Sequence, residues 1–230
     1  MDAWIALARG PLFRVSLVVC VLGLALRFLG ELYHVVTAWR RAGDRSLPLA
    51  TVVRATVGWL LPVRLLRTRP VYAALSFVFH AGLILLPLFL AGHVALWQQD
   101  IHVPWPTFTP GVADALTVVA AAGMLGVLLA RASSAAARAL TGLQDVAVLL
   151  VLLLLTLTGA HPLLSPLDAR FMLLSHVLLG DLALLLTPTT KIVHCVLAPL
   201  SQLVFELGWH FPADTGRHVA VVLRKEDEPV

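Results

Sequence analysis

Leucine, valine, alanine and isoleucine fill this chain in long unbroken blocks, with the polar residues gathered between them. A helix needs about 20 apolar residues to cross the hydrocarbon core of a bilayer. Five blocks meet that measure: Leu12 to Val36, Val71 to Trp97, Val112 to Arg131, Gly142 to Ala160, and Phe171 to Leu197. The fifth exceeds a span, so it is expected to tilt or project. The alternating segments of a membrane barrel are missing. The pattern predicts an all-α membrane protein, a five-transmembrane-helix bundle forming one membrane domain over residues 1–230. The stretch from Leu47 to Arg69 is apolar but broken by Arg54, Arg64, Arg67, Pro48 and Pro62. It belongs to a basic connection over residues 40–70 and reads as an amphipathic element on the cytoplasmic face. It would serve either headgroup attraction or partner docking. Residues 209–230 form a short, mixed cytoplasmic tail.

Basic residues then give the orientation. Arg40, Arg41, Arg45, Arg54, Arg64, Arg67 and Arg69 join the first two helices, Arg131 and Arg138 the third and fourth, and Arg217, Arg224 and Lys225 lie in the tail. Only Arg9, Arg14 and Arg170 fall on the other side, twelve against three. Positively charged loops stay in the cytoplasm, so the N-terminus is expected outside and the C-terminus in the cytoplasm of a prokaryotic inner membrane. The first apolar block follows Arg9 and Arg14 as a signal peptide would, but no small-x-small site closes it, so it reads as a retained helix.

Composition agrees with the pattern. The chain is 59% hydrophobic and only 13% charged, with mean hydropathy +0.89. Soluble domains are usually about 25% charged. That excludes a soluble enzyme, a secreted disulfide scaffold and a disordered chain. Two cysteines, Cys20 and Cys195, make no metal motif and cannot hold a four-thiolate iron–sulfur cluster. The net charge of +4 sets topology rather than nucleic-acid binding. Nine histidines remain to be explained.

Five of them, His34, His102, His161, His210 and His218, fall at helix ends, in loops or in the tail, where water can solvate them. His80 and His93 on the second helix, and His176 and His194 on the fifth, lie at membrane depth. Ionisable groups there carry a functional expectation. His176 and His194 are 18 residues apart, which is five full turns and roughly 27 Å on a straight helix. His80 and His93 are 13 apart, roughly 19.5 Å along the axis and roughly 140° from a common face. Pro87 between them is positioned to re-aim one ring, and Pro188 to bend the fifth helix. Because the two helices run in opposite directions, His93 meets His176 near the outer surface and His80 meets His194 near the inner one. A single histidine at such a place is usually a polar group satisfied by a neighbouring helix. Four, in two cross-helix pairs, suit bis-imidazole iron sites of the b-haem kind. Gly82, Gly92 and Gly180 lie close by, either giving a macrocycle room or reflecting only how common glycine is in transmembrane helices. Asp181 is a further intramembrane acid, either a proton acceptor, a partner for a histidine or a structural carboxyl.

The segment HVLLGDLALLLTPTTKIVH, His176 to His194, resembles the last helix of the gamma subunit of respiratory nitrate reductase. FHAGLILLPLFLAGH, Phe79 to His93, resembles that family's second helix, and TGLQD, Thr141 to Asp145, the start of its fourth. The similarity covers most of residues 72–200. The longer interval from His80 to His93, and the lack of lysine from Gln98 to Gly111, point to a relative. The branch found in sulfite-reductase-associated or heterodisulfide-reductase-like complexes is one such relative. The resemblance implies a di-haem cytochrome b that exchanges electrons between the quinone pool and cytoplasmic iron–sulfur subunits. It implies two haem b groups, the outer held by His93 and His176 and the inner by His80 and His194. It also implies a quinol pocket near Gly92.

The expected function is therefore the electron-transfer subunit of a quinol-linked respiratory oxidoreductase complex, with lipid, quinone and an iron–sulfur protein as partners. Arg170 and Lys191 either pair with haem propionates or simply snorkel to the membrane surface, and Asp100, His102 and Asp114 are either proton carriers or solvated loop residues. The other readings open to the sequence are a transporter or proton/metal conduit lined by histidine and aspartate, without haem, and a non-redox membrane anchor.

Overall fold

The computed structural model describes residues 1–43, 49–60, 63–160, 168–208 and 214–227. They form α1 (Asp2–Arg41), α2 (Leu49–Leu60), α3 (Val63–Thr68), α4 (Pro70–Phe89), α5 (Ala91–Ile101), α6 (Pro110–Ser133) and α7 (Ala135–Ala139). These are followed by α8 (Leu143–Gly159), α9 (Ala169–Leu186), α10 (His194–Gly208) and α11 (Thr215–Leu223). Five helices, α1, α4, α6, α9 and the run Lys191–Gly208, are long and apolar enough to cross a membrane. Their faces expose large hydrophobics such as Leu26, Val71, Leu129 and Leu182, which only lipid would tolerate in such numbers. This is a multi-pass, all-helical membrane protein.

The spans differ from the sequence expectation in three places. The fourth expected span, α8, has 17 residues, at the lower limit for crossing a bilayer. The second is two helices. Pro87 cannot donate a backbone N–H, and Leu90 turns extended (φ −73°, ψ 127°), so α4 stops and α5 begins at Ala91. The break exposes carbonyls that would otherwise be bonded within a helix. Trp105 Nε1 donates to Leu88 O at 2.8 Å, and Phe108 N–H to Phe89 O at 2.8 Å. The returning loop thus satisfies the opened backbone.

The third difference lies in the expected helix from Phe171 to Leu197, which is not continuous. α9 ends at Leu186, and a turn through Thr187–Thr190 leads to a short 3₁₀ segment, Lys191–Val193, before α10. Pro188 cannot continue the helical ladder. The hydroxyls of Thr187, Thr189 and Thr190 donate to the carbonyls of Ala183, Leu185 and Leu186; those of Ala183 and Leu186 also accept the backbone N–H groups of Thr187 and Thr190, so the hydroxyls reinforce the helix end. The single continuous helix on which the five-turn count from His176 to His194 rests is therefore not present.

The chain divides into two compact units, Met1–Val21 with Pro62–Ile192, and Leu22–Leu61 with Val193–Val230. In the first, α4 packs on α6, α6 on α8, α8 on α9, and α9 on the first turns of α1. Pro11 sits inside α1, where a π-helical turn, Ala8–Leu12, accommodates its missing donor. The α4–α6 crossing is built from small residues. A Cβ on Gly82 would lie 2.5 Å from Ala120 Cβ, and one on Gly123 2.8 Å from Leu75 O. Such residues let helices approach closely where lipid offers no hydrophobic drive to pair them. Met124, Val127 and Leu149 form the core beside them. Gly82 thus serves helix packing, not room for a macrocycle.

Ion pairs mark opposite ends of this unit. Arg170 Nη1 lies 3.4 Å from Asp2 Oδ2, so α1 and α9 start together. Lys191 Nζ donates to Asp145 Oδ1 at 2.6 Å, joining the start of α8 to the chain just beyond α9. In the second unit α2 packs along α10, with Val52, Leu197 and Leu207 buried. The amphipathic element expected from Leu47 to Arg69 thus takes the form of α2 and α3, and the expected tail contains α11.

Candidate functional site: a paired-imidazole centre

His93 stands one turn into α5, just past the break at Leu90. His176 lies two turns into α9, which packs on α8. The two rings come together with centroids 5.8 Å apart and planes 11° from parallel. His93 Nδ1 is 3.1 Å from Leu86 O, and His176 Nδ1 is 2.9 Å from Leu155 O. A carbonyl can only accept, so each Nδ1 carries the proton and donates it. In a neutral ring the lone pair then sits on Nε2. Two imidazoles in this tautomer, each oriented by a backbone carbonyl, have the second-shell arrangement usual for histidine metal ligands.

The break at Leu90 makes this possible. Leu86 O accepts both the Leu90 N–H, at 2.9 Å, and His93 Nδ1–H. An unbroken helix would have carried His93 onto another face. The re-aiming expected from Pro87 is present, three residues further along.

Gly159, the last residue of α8, was missed from sequence. A Cβ there would lie 2.8 Å from His176 Cε1 and 3.0 Å from Nδ1. The absent side chain lets the imidazole lie against the end of α8 and reach Leu155 O. Glycine one turn after a carbonyl-bearing residue gives no sequence signal until the partner helix is known. Gly92, beside His93, is exposed and faces open space, and a Cβ added to Gly180 would meet Leu155 Cδ1 at 3.9 Å.

Two imidazoles supply two donors. Among the described residues no group of three or more His, Cys, Asp or Glu could hold a bare metal ion. The donor set fits an ion whose other ligands come with it, as the four nitrogens of haem do. Metal–imidazole bonds of about 2.0–2.1 Å place two rings on one ion with centroids roughly 6 Å apart. The observed separation of 5.8 Å is close to that.

His80 carries the same tautomer, with Nδ1 2.7 Å from Ser76 O and its ring stacked on Phe79 at 4.1 Å. It belongs to the first unit, whereas His194 opens α10 in the second and is exposed. The first unit brings together His93 and His176; His80 and His194 are each placed within their own unit. Arg170 and Lys191 are ion-paired with Asp2 and Asp145. His102 caps α5 in the left-handed region, φ 57°, and it and Asp114 are exposed. The Asp100 side chain and the whole of His161 and His210 lie outside the described residues.

A cavity of about 470 Å³ opens in the same unit, lined by Asp2, Ile5, Ala6, Arg9, Gly10 and Leu96. Leu96 follows His93 by three residues on α5, so cavity and histidine share one side of that helix.

No protein-family model matches this chain, and no solved structure does. The chain is 32% identical over 202 residues to a protein of Nitratidesulfovibrio vulgaris (strain Hildenborough), the match covering 86% of this chain and 89% of that one. The relative's name, "Protein", describes no activity.

Proposed function

We propose that this chain, which belongs with the Nitratidesulfovibrio vulgaris protein to one family of helical membrane proteins, is the cytochrome b subunit of a respiratory complex. In this reading it carries electrons between the quinone pool and a cytoplasmic iron–sulfur subunit. The observation that supports it is the His93–His176 pair, whose near-parallel rings lie 5.8 Å apart with each Nδ1 held by a carbonyl, Leu86 O or Leu155 O, which leaves Nε2 as the lone-pair nitrogen of each ring. A second haem would take His80 as a ligand. Bound haem would supply one-electron transfer, which none of the side chains can perform alone.

The chain's own part is to orient and insulate. The carbonyls fix ring tautomer, Gly159 sets ring position, and a span poor in charge keeps the surroundings apolar. The cavity beside α5 would take a quinol headgroup, with Asp2 and Arg9 supplying its polar contacts and Gly92 at its approach. Arg170 and Lys191 would share their remaining donors with propionates. The arginine-rich connection over residues 40–70 would lie in the cytoplasm and receive the iron–sulfur partner, with the N-terminus outside. The membrane would be a prokaryotic inner membrane.

A dithionite-reduced spectrum of protein expressed with haem available tests this reading. It predicts a b-type α-band. Absence of the band would refute it.

A further inference from the structure

Asp181 lies on α9 and is 3% exposed, and neither carboxyl oxygen has a hydrogen-bond partner. Ser16 on α1 is 0% exposed, and its hydroxyl has none either. Both belong to the first unit. The starts of their helices are tied by the Arg170–Asp2 bridge, and the first turns of α1 pack on α9. Counting from that bridge, Ser16 lies about 21 Å along α1 and Asp181 about 16.5 Å along α9, at 1.5 Å per residue. Two orphaned polar side chains therefore lie within about 4.5 Å of one depth, less than one helical turn, on helices that begin side by side.

We propose that Asp181 and Ser16 form a proton-binding site inside the membrane span. In it the Asp181 carboxyl is held as the neutral acid, and the Ser16 hydroxyl turns to accept its hydrogen bond, a contact not made by the side chains as they stand in the structure. A charged carboxylate with no partner is strongly disfavoured at this depth, and no cation hydrogen-bonds it. A metal ion is a poor occupant. Hard cations take six or more oxygens, and among the described residues no third ligating carboxylate, histidine or cysteine joins Asp181. A proton needs only one carboxyl and one acceptor, which is what the two helices provide. Asp181 follows His176 by five residues, about 7.5 Å along α9, so the site is a proton store close to the imidazole pair. It does not rest on haem being bound there.

The test is infrared spectroscopy of the full-length protein, labelled with ¹³C at the aspartate carboxyl, in H₂O and after equilibration in D₂O. The expected result is a protonated-carboxyl C=O band that responds to the label and moves in D₂O. It should disappear in Asp181→Asn and change frequency in Ser16→Ala. No such band, or one that survives Asp181→Asn, overturns the proposal. A band unmoved by Ser16→Ala overturns the pairing. If Asp181→Asn fails to fold, Ser16→Ala decides alone. None of these readouts uses haem, so their failure is distinct from failure of the cytochrome reading.

Discussion

Replacing Gly159 by alanine separates packing from ligand positioning. At an open helical site glycine to alanine stabilises by roughly 0.8–1.0 kcal/mol. Here the added Cβ would sit 2.8 Å from His176 Cε1 and 3.0 Å from Nδ1, well inside the roughly 3.5–4.0 Å of ordinary carbon contact. The ring must retreat by about 0.7 Å to restore that contact. It would retreat from the segment that carries its acceptor, stretching the 2.9 Å bond to Leu155 O. Overpacking costs about 1–3 kcal/mol, and the weakened hydrogen bond about 0.5–1.5 kcal/mol. Loss of an orienting partner typically lowers metal affinity about 10–100-fold. The assay is haem content and the reduced α-band of purified Gly159→Ala beside wild type, with thermal unfolding in detergent. Gly30→Ala serves as the control, since a Cβ there meets nothing within 4 Å. The expected outcome is partial loss of haem and a lower melting temperature for Gly159→Ala, with neither change for Gly30→Ala. Wild-type haem content together with an unchanged or raised melting temperature would refute the reasoning.

Gly82→Ala would force a Cβ to 2.5 Å from Ala120 Cβ across the α4–α6 crossing; a loss of about 1–3 kcal/mol should appear in thermal unfolding. Trp105→Phe keeps the ring near Phe89 but strips Leu88 O of its 2.8 Å donor. A loss of about 1 kcal/mol is expected, with faster amide exchange around residues 88–94. Lys191→Ala removes the 2.6 Å contact with Asp145, but the Lys191 side chain is 64% exposed. Less than about 1 kcal/mol should be lost, and high salt should reduce the difference from wild type.

The parts of this fold legible in the sequence were those with a direct physical signature. Apolar length marks the spans, because a bilayer demands it. Pro87 marks an interruption between His80 and His93, because a missing donor must break the ladder. The meeting of His93 with His176 followed from counting depth along antiparallel helices. The stop at Leu186 was harder. Pro188 signalled a bend, but whether three threonine hydroxyls cap a helix or merely decorate it depends on their rotamers. Gly82 and Gly159 show the same limit in opposite ways. Each is a glycine near a histidine, yet one lets two helices touch and the other lets a ring lie down. Only the neighbouring element distinguishes them. Asp181 was conspicuous as an acid in an apolar run, while Ser16 gains interest only from sharing its depth and its isolation.

In the proposed reading His93 and His176 serve one iron. Reduced-minus-oxidised optical spectra, with low-temperature electron paramagnetic resonance of the oxidised protein, test it most directly in wild type, His93→Ala and His176→Ala. The expected result is a low-spin bis-imidazole signal in wild type, and loss of one and the same haem component in both variants. A His80→Ala variant should spare that component and remove another. Wild-type protein without the signal, or two variants that lose different components or none, would contradict it.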